Sequence, residues 1–415
     1  MTAPNTLGID FGTSNSAAGI AVSGRPWLVE MEPGELTLPT AVFFAEGARQ
    51  MRIGHSAARA LISGEEGRFM RALKSLLGTS LLHEERRLGG ERISFAAIIA
   101  RFLAELKRRA EAATHMQFTH ALSGRPVRFH SNDPGRNAQA EKDLRACYLE
   151  AGFEDVLFMY EPEAALRAAA PSPGLGLIVD IGGGTSDFTA FEQGADGAAR
   201  ILASHGIRLG GTDFDRQLSI QHVMPLLGRG SLIRNTFGGG TLPAPNRLFN
   251  DLATWQMIPF LYSPESRRAA KDLAANAAEP EKLARLVTVL EDELGHELAF
   301  AVERGKIRAN DAGDSAAIDL KLLQRGLSVP LPGAEMIQTL ADQTRAIGVC
   351  AAETLDQAGI EAVRVDRIVM VGGSSLLAPV QAEMRLLCPN ARVETENAMT
   401  AVAAGLALAA GTAFS

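Results

Sequence analysis

Near the N-terminus the apolar positions gather into two short runs, Thr6–Asp10 and Ala17–Val22, separated by the turn Phe11-Gly12-Thr13-Ser14-Asn15-Ser16. Continuous apolar runs of this length, joined by glycine and hydroxyl residues, predict a buried β-hairpin. Leu38–Phe44 predicts a further strand, and Arg68–Leu77 and Phe95–Ala113 carry apolar residues at helical spacing. A strand around Ala121, a helix over Ala138–Ala151 and a strand over Asp155–Met159 follow, an alternation that predicts a sheet covered by helices. Pro171-Ser172-Pro173-Gly174 is the sharpest break in the pattern and predicts a boundary between two lobes, residues 1–172 and 173–415. The strand after it, Leu175–Asp180, enters a second glycine turn, Ile181-Gly182-Gly183-Gly184-Thr185-Ser186-Asp187.

The two glycine turns are copies of one another. Leu7-Gly8-Ile9-Asp10-Phe11-Gly12 and Leu177-Ile178-Val179-Asp180-Ile181-Gly182 lie 170 residues apart, each an apolar strand ending in Asp, then an apolar residue, then Gly. Duplicated lobes facing each other can grip one ligand from both sides. Insertions are expected in each lobe, about 38–115 in the first and a mostly helical one at about 212–326 in the second, the latter broken by Gly238-Gly239-Gly240, Pro243 and Pro245. Met336–Gly359 has helical spacing, Arg367–Val371 reads as a buried strand, and Gly372-Gly373-Ser374-Ser375 is expected to open the next helix, a junction suited to an anion or a polar ring. The uncharged tail Asn397–Ser415 is built from Ala, Gly and Thr, which are poor drivers of membrane insertion. It predicts a small-residue helix, about 397–412, packing back on the first lobe.

Composition narrows the partners. With 41 Lys plus Arg against 48 Asp plus Glu the net charge is −7, so no overall electrostatic footprint for nucleic acid exists and any phosphate must be held locally. Apolar residues at 46% and charged residues at 21% fit a packed globular chain and exclude a disordered or fibrous one. Cys147, Cys350 and Cys388 are odd in number and widely spaced, which writes neither a disulfide framework nor a CxxC metal site. A reducing cytoplasm, a mature chain starting at Met1 and no membrane partner are therefore expected.

Glycines in both turns let backbone N–H groups approach an oxyanion without interference from a Cβ, and Thr13, Ser14 and Thr185 add hydroxyl donors. Asp10 and Asp180, at the ends of equivalent strands, would repel each other across a shared site unless a cation lay between them, and a hydrated Mg²⁺ bridging phosphate oxygens meets that need.

Three segments carry a resemblance. GIDFGTSNS (Gly8 to Ser16), VDIGGGTSDF (Val179 to Phe188) and IVMVGGSSLLAPV (Ile368 to Val380) are similar to the two phosphate motifs and the adenosine motif of the actin-like ATPase superfamily, and most similar to the ATPase domain of the seventy-kilodalton heat-shock chaperones. LPTAVFF, LKSLLG, EPEAAL, LGGTDFD and VERGKI follow in matching order over nearly the whole chain. The resemblance implies an α/β, actin-like (ribonuclease H-like) duplicated fold with a nucleotide cleft between two lobes, binding ATP or ADP with Mg²⁺. Gly12, Thr13, Ser14 and Asn15 would face Gly182, Gly183, Gly184 and Thr185 across the phosphates, and Asp10 and Asp180 would hold the water shell of the ion. Lys74 matches the family's catalytic lysine, with Glu161, Asp187 and Thr185 beside it. Taken alone, Lys74 also reads as a solvated helix lysine, and Glu161 as a helix-start charge before Pro162. Gly211, Glu303, Lys306, Gly372, Gly373 and Ser374 correspond to the nucleoside-binding positions, although Glu303 and Lys306, three apart, also read as a surface ion pair. Pro126 and Arg136 resemble the family's relay to its peptide-binding domain.

Departures accompany the match. Ile307 and Leu376 stand where the chaperones place arginines on the adenine, and Met399 where they have an aspartate. The sequence ends at Ser415, where the chaperones continue into a peptide-binding domain. The expectation is thus a slowly hydrolysing, Mg-dependent ATPase switch with an unidentified protein partner or client. A filament-forming or sugar-kinase-like relative, and a nucleotide sensor without turnover, stand as alternatives.

Overall fold

The computed structural model describes residues 5–414 apart from 49, 64, 131–132, 170–171, 196–198, 236–237, 313–314 and 396–397. Met1, Pro171 of the predicted break, and both ends of the tail segment (Asn397, Ser415) lie outside the described residues. The chain divides into two compact units, residues 1–211 with 344–415, and residues 212–343.

Two sheets of the same topology form the first unit. One contains β1 (Thr6–Phe11), β2 (Asn15–Val22), β3 (Arg25–Leu28), β4 (His120–Arg125) and β5 (Asp155–Tyr160), in the order β3-β2-β1-β4-β5, with Leu38–Pro39 added beside β2. The other contains β6 (Gly174–Ile181), β7 (Ser186–Gln193), β8 (Ala199–Ile207), β9 (Arg367–Val371) and β10 (Arg392–Glu394), in the order β8-β7-β6-β9-β10. In each, a central strand pairs antiparallel with its hairpin partner and parallel with a strand far along the chain. Register repeats as well as order: Asp10 pairs with Ala17 and Asp180 with Asp187, the same spacing displaced by 170 residues. The cause is legible in the side chains. Leu7, Ile9 and Phe11 of β1 and Leu177, Ile178, Val179 and Ile181 of β6 are wholly buried, the continuous apolar character of strands covered on both faces.

The small-residue tail forms the helix Ala401–Ala410 and packs on β1, β2 and the helix Glu161–Ala168. Its composition follows from how close it comes. A Cβ on Gly8 would lie 2.6 Å from the carbonyl carbon of Leu406, and one on Gly405 would lie 1.6 Å from the carbonyl oxygen of Ala164. Leu406, Ala409 and Ala410 join Leu122, Ala165 and Ile178 in a core shared by the two sheets. Among the described residues no helix is long and apolar enough to cross a membrane.

Four expectations are corrected. Leu38–Phe44 is not one strand: Leu38–Pro39 pairs with β2, whereas Ala41–Ala45 joins a separate sheet with Met51–Ile53 and Gly67–Arg71. The break falls at buried Thr40, whose hydroxyl bonds Ser16 Oγ at 2.8 Å and whose N–H donates to the Ser14 carbonyl at 2.8 Å. Arg68–Leu77 is not helical. Strand pairing takes Gly67–Arg71, Ala72 turns the chain at φ 59°, and only Leu73–Leu76 coils, as a 3₁₀ turn; tertiary pairing overrides the apolar spacing. Met336–Gly359 divides into the helices Gly333–Thr339 and Ala341–Ala358. Gly372 to Ser375 does not begin an α-helix, because Gly372 sits at φ 77° and Gly373–Leu376 is a 3₁₀ turn ahead of Ala378–Leu387.

The second unit is mainly helical, with Arg247–Leu252, Pro264–Ala275, Pro280–Glu291, Gly295–Ala312 and Gly333–Thr339. Two short hairpins complete it, Leu232–Arg234 with Thr241–Pro243 and Ala317–Asp319 with Ser328–Pro330.

Gly405→Ala is expected to lower stability by at least about 1–3 kcal/mol, the usual range for overpacking. Gly411→Ala, where an added Cβ meets nothing within 4 Å, is expected to change it little. Urea denaturation of both variants measures the difference.

Candidate functional site

Glycine turns from the two sheets meet in the first unit. A Cβ on Gly183 would lie 2.3 Å from Ser14 Oγ and 3.2 Å from Thr13 Cβ, so the first loop, residues 12–14, touches the second, residues 182–185. The second loop is closed by the Gly182 N–H donating to the Thr185 carbonyl at 3.0 Å, and a Cβ on Gly12 would strike the Asn15 carbonyl oxygen at 2.2 Å. Two further turns nest against them. Gly211 donates its N–H to the Gly182 carbonyl at 2.9 Å, and a Cβ on Gly210 would lie 2.6 Å from the Gly184 nitrogen. On the other side a Cβ on Gly372 would lie 2.4 Å from the Ile181 carbonyl oxygen, and one on Gly211 would lie 2.5 Å from Ser374 Oγ. Only glycine tolerates such approach, and what it leaves is a surface of backbone amides. Gly373 lies beside Met399, whose sulfur is 3.0 Å from the position of its missing Cβ.

Beside the loops stands a buried charge cluster. Lys74 and Glu161 are both buried, and the Lys74 ammonium donates to Glu161 Oε1 at 2.6 Å. The Lys74 turn is fixed from the side: the Leu77 carbonyl bonds His130 Nε2 at 2.7 Å, and the Gly78 N–H donates to Asp143 Oδ2 at 2.9 Å. Glu161 follows β5 as the first residue of the helix Glu161–Ala168, where the helix dipole favours a carboxylate. The helix-start position is as expected, and this acid is also the partner of Lys74. The reading of Lys74 as a solvated helix lysine is corrected, because it is buried on a 3₁₀ turn.

Asp10, Asp180 and Asp187 complete the cluster. Burial raises the Asp10 carboxyl to about 7, with repulsion from Glu161 adding to it and Lys74 opposing. Burial also raises Asp180 well above the usual carboxylate range, reinforced by Glu161, Asp187 and Asp10. Asp187 is raised to about 7 by burial and Glu161, although it accepts the Val127 N–H at 2.8 Å. Burial works to lower the Lys74 pKa, but Glu161, Asp10 and Asp180 outweigh it and hold the ammonium above the ordinary lysine value. One ammonium faces four carboxyl groups, and burial with their mutual repulsion raises three of them, Asp10, Asp180 and Asp187. Hard oxygens of this kind would suit a divalent cation such as Mg²⁺, which would favour their charged forms.

The remaining predicted residues lie elsewhere. Glu303 and Lys306 belong to the second unit, on the helix Gly295–Ala312. Lys306 is buried and paired with Asp215 at 2.7 Å, which corrects its reading as half of a surface ion pair. Ile307 and Met399 are half exposed. Pro126 directly precedes Val127, the donor to Asp187, whereas Arg136 bonds its own helix cap, Asp133, at 3.3 Å. Two participants went unread in the sequence, Gly210 and the backbone of Val127. A doubled glycine after β8 signals the first; nothing in the residue type signals the second.

Paired sheets of repeated register, joined at facing glycine turns with acids on the central strands, define an actin-like ATPase fold. Comparison with known proteins agrees: residues 6–231 match the family model described as Hsp70 protein, and the chain belongs to that family. It is 34% identical over 222 residues to the chaperone protein DnaK of Endomicrobium trichonymphae and 33% identical over 222 residues to that of Thermoplasma acidophilum. Each match spans 51% of this chain but 34% of the relative. The chain thus carries an actin-like ATPase fold of the Hsp70 type. The matched stretch includes Asp10, Lys74, Glu161, Asp180 and Asp187 and ends before Glu303, Lys306 and Gly372.

The raised carboxyls set a pH dependence. A carboxyl whose folded pKa lies above its unfolded one contributes stability that is complete below about pH 4 and lost as the pH rises through about 7. Asp187→Asn keeps an acceptor for Val127 and removes the buried charge. Relative to wild type it is expected to gain stability between pH 5 and pH 8, by on the order of 2 kcal/mol, as read from urea denaturation at the two pH values.

Proposed function

We propose that the chain is an ATP-binding, slowly hydrolysing nucleotide switch. The observation that carries this reading is the buried Lys74–Glu161 pair with Asp10, Asp180 and Asp187, set beside two glycine loops in contact. Backbone N–H groups of Gly12 to Asn15 and of Gly182 to Thr185, with the hydroxyls of Thr13, Ser14 and Thr185, hold the β- and γ-phosphates. Asp10 and Asp180 would hold Mg²⁺, and the ion, when bound, would supply positive charge against the phosphate oxygens. Lys74, held by Glu161, orients the attacking water and offsets charge on the transferred phosphoryl group, which is positioning and electrostatics rather than covalent chemistry. Asp187, with a pKa near neutrality, is suited to take the proton of that water.

Gly211, Gly372, Gly373 and Ser374, with Glu303 and Lys306, are assigned to the nucleoside. Because the loops belong to separate sheets, nucleotide binding and release would change their separation, and a protein partner or client would read that change. A reducing cytoplasm is the setting proposed, with neither nucleic acid nor membrane as partner. A sensor without turnover is the second reading, supported by the engagement of the Lys74 ammonium with Glu161 at 2.6 Å.

Phosphate release from ATP, measured with and without Mg²⁺, tests the first reading. Lys74→Ala and Thr185→Ala are each expected to slow release by about 10²–10³-fold, the loss typical of removing one stabilising donor. An unchanged rate in Lys74→Ala refutes the catalytic assignment, and no release from wild type favours the sensor.

Adenine binding is expected to be weak. Ile307 and Leu376 forgo cation–π contacts of about 1 kcal/mol each, which together predict roughly 30-fold weaker ATP binding than in a full-length chaperone with both arginines. Calorimetric titration of both proteins compares them.

A further inference from the structure

We propose that His205, Cys350 and Glu353 form a binding site for a borderline divalent transition ion of the zinc type, separate from the Mg²⁺ proposed at the carboxylates. His205 stands near the end of β8, and Cys350 and Glu353 lie three residues apart on the helix Ala341–Ala358, hence on one face of it. One ligand atom from each residue lies within 4.8 Å of the other two, the only such set of three among the described residues. A tetrahedral zinc site, with metal–nitrogen and metal–oxygen bonds near 2.0 Å and metal–sulfur near 2.3 Å, needs ligand atoms about 3.3–3.8 Å apart. The trio is therefore within roughly 1.5 Å of closure at its widest. His205 Nε2 and Glu353 Oε2, at 3.2 Å, already have that spacing.

A second observation concerns the other ring nitrogen. His205 Nδ1 is enclosed and has no hydrogen-bond partner, a desolvated polar atom that costs about 1–3 kcal/mol when left unmatched. Ligation through Nε2 would fix the tautomer that carries the proton on Nδ1. The chemistry of the set chooses the ion. Imidazole nitrogen with cysteine sulfur selects zinc-type ions over Mg²⁺, and three protein ligands leave a fourth position for water. Glu353 is half exposed and gives a path from solvent, while Cys350 closes the inner side. The buried Cys350 sulfur gives up its proton to solvent when the ion binds. Binding then releases one proton and forms one metal–sulfur bond.

Co²⁺ titrated into the purified full chain tests this, because thiolate ligation gives a charge-transfer absorption. Wild type is expected to saturate at one equivalent with that band and to lose it when Zn²⁺ is added. Cys147→Ser keeps the band and Cys350→Ser abolishes it. Glu353→Gln, on a half-exposed side chain that leaves folding intact, is expected to weaken Zn²⁺ binding by about tenfold or more. It also removes the Zn²⁺-dependent rise in melting temperature, so the test survives if Cys350→Ser does not fold. Absence of the band in wild type, its persistence in Cys350→Ser, or unchanged Zn²⁺ affinity in Glu353→Gln overturns the proposal.

Discussion

The ion pair between Lys74 and Glu161 is the constraint on which the site depends. Four carboxyl groups are gathered beside the glycine loops, and the Lys74 ammonium is bonded to one of them, Glu161, at 2.6 Å. Replacing a buried partner in such a pair is far more damaging than its surface counterpart, because the other charge stays desolvated. Here the consequence reaches further. Asp10 and Asp180 both feel Lys74 as an opposing charge, a smaller influence on each than burial and the neighbouring carboxyls. The 3₁₀ turn that carries it, anchored through Leu77 to His130 and through Gly78 to Asp143, is therefore part of the electrostatics of the site.

That turn is also where sequence reasoning fails. Phe69, Met70, Leu73, Leu76 and Leu77 sit at helical spacing, but the first two lie in a strand paired to Ala41–Ala45. Periodicity reports which residues are buried, and a strand followed by a 3₁₀ turn can bury the same set. The glycine loops and their acids were legible for the opposite reason. Their signal is local, a strand, an acid and a glycine turn contiguous in the chain, and it occurs twice. The tail helix was legible from composition, since a run of Ala and Gly fits only where backbones approach as closely as Gly405 approaches Ala164. Contacts made by a backbone atom from a distant segment, such as Val127 to Asp187, leave no mark in the residue type that makes them.

The mild charge of −7 is consistent with this arrangement. Nothing in the described cluster supplies a broad positive field. Phosphate recognition in the proposed reading rests on amide dipoles at short range, one lysine and an ion, all of which act within a few ångströms and leave the surface free to be weakly acidic.

Duplication explains the cradle but not the chemistry. Under the displacement of 170 residues the two hairpins agree in strand order and in register, so Asp10 corresponds to Asp180 and Ala17 to Asp187. The first pair is symmetric and suits a shared ion. The second is not: Ala17 is a buried methyl, whereas Asp187 is a buried acid with a pKa near neutrality. Lys74 and Glu161 have no counterpart in the repeat motif either, one coming from the insertion in the first half and the other from the helix after β5. A symmetric backbone holds a ligand from two sides. The side chains that break the symmetry are the ones that distinguish one end of a phosphate chain from the other, and the reaction proposed for this chain needs that distinction.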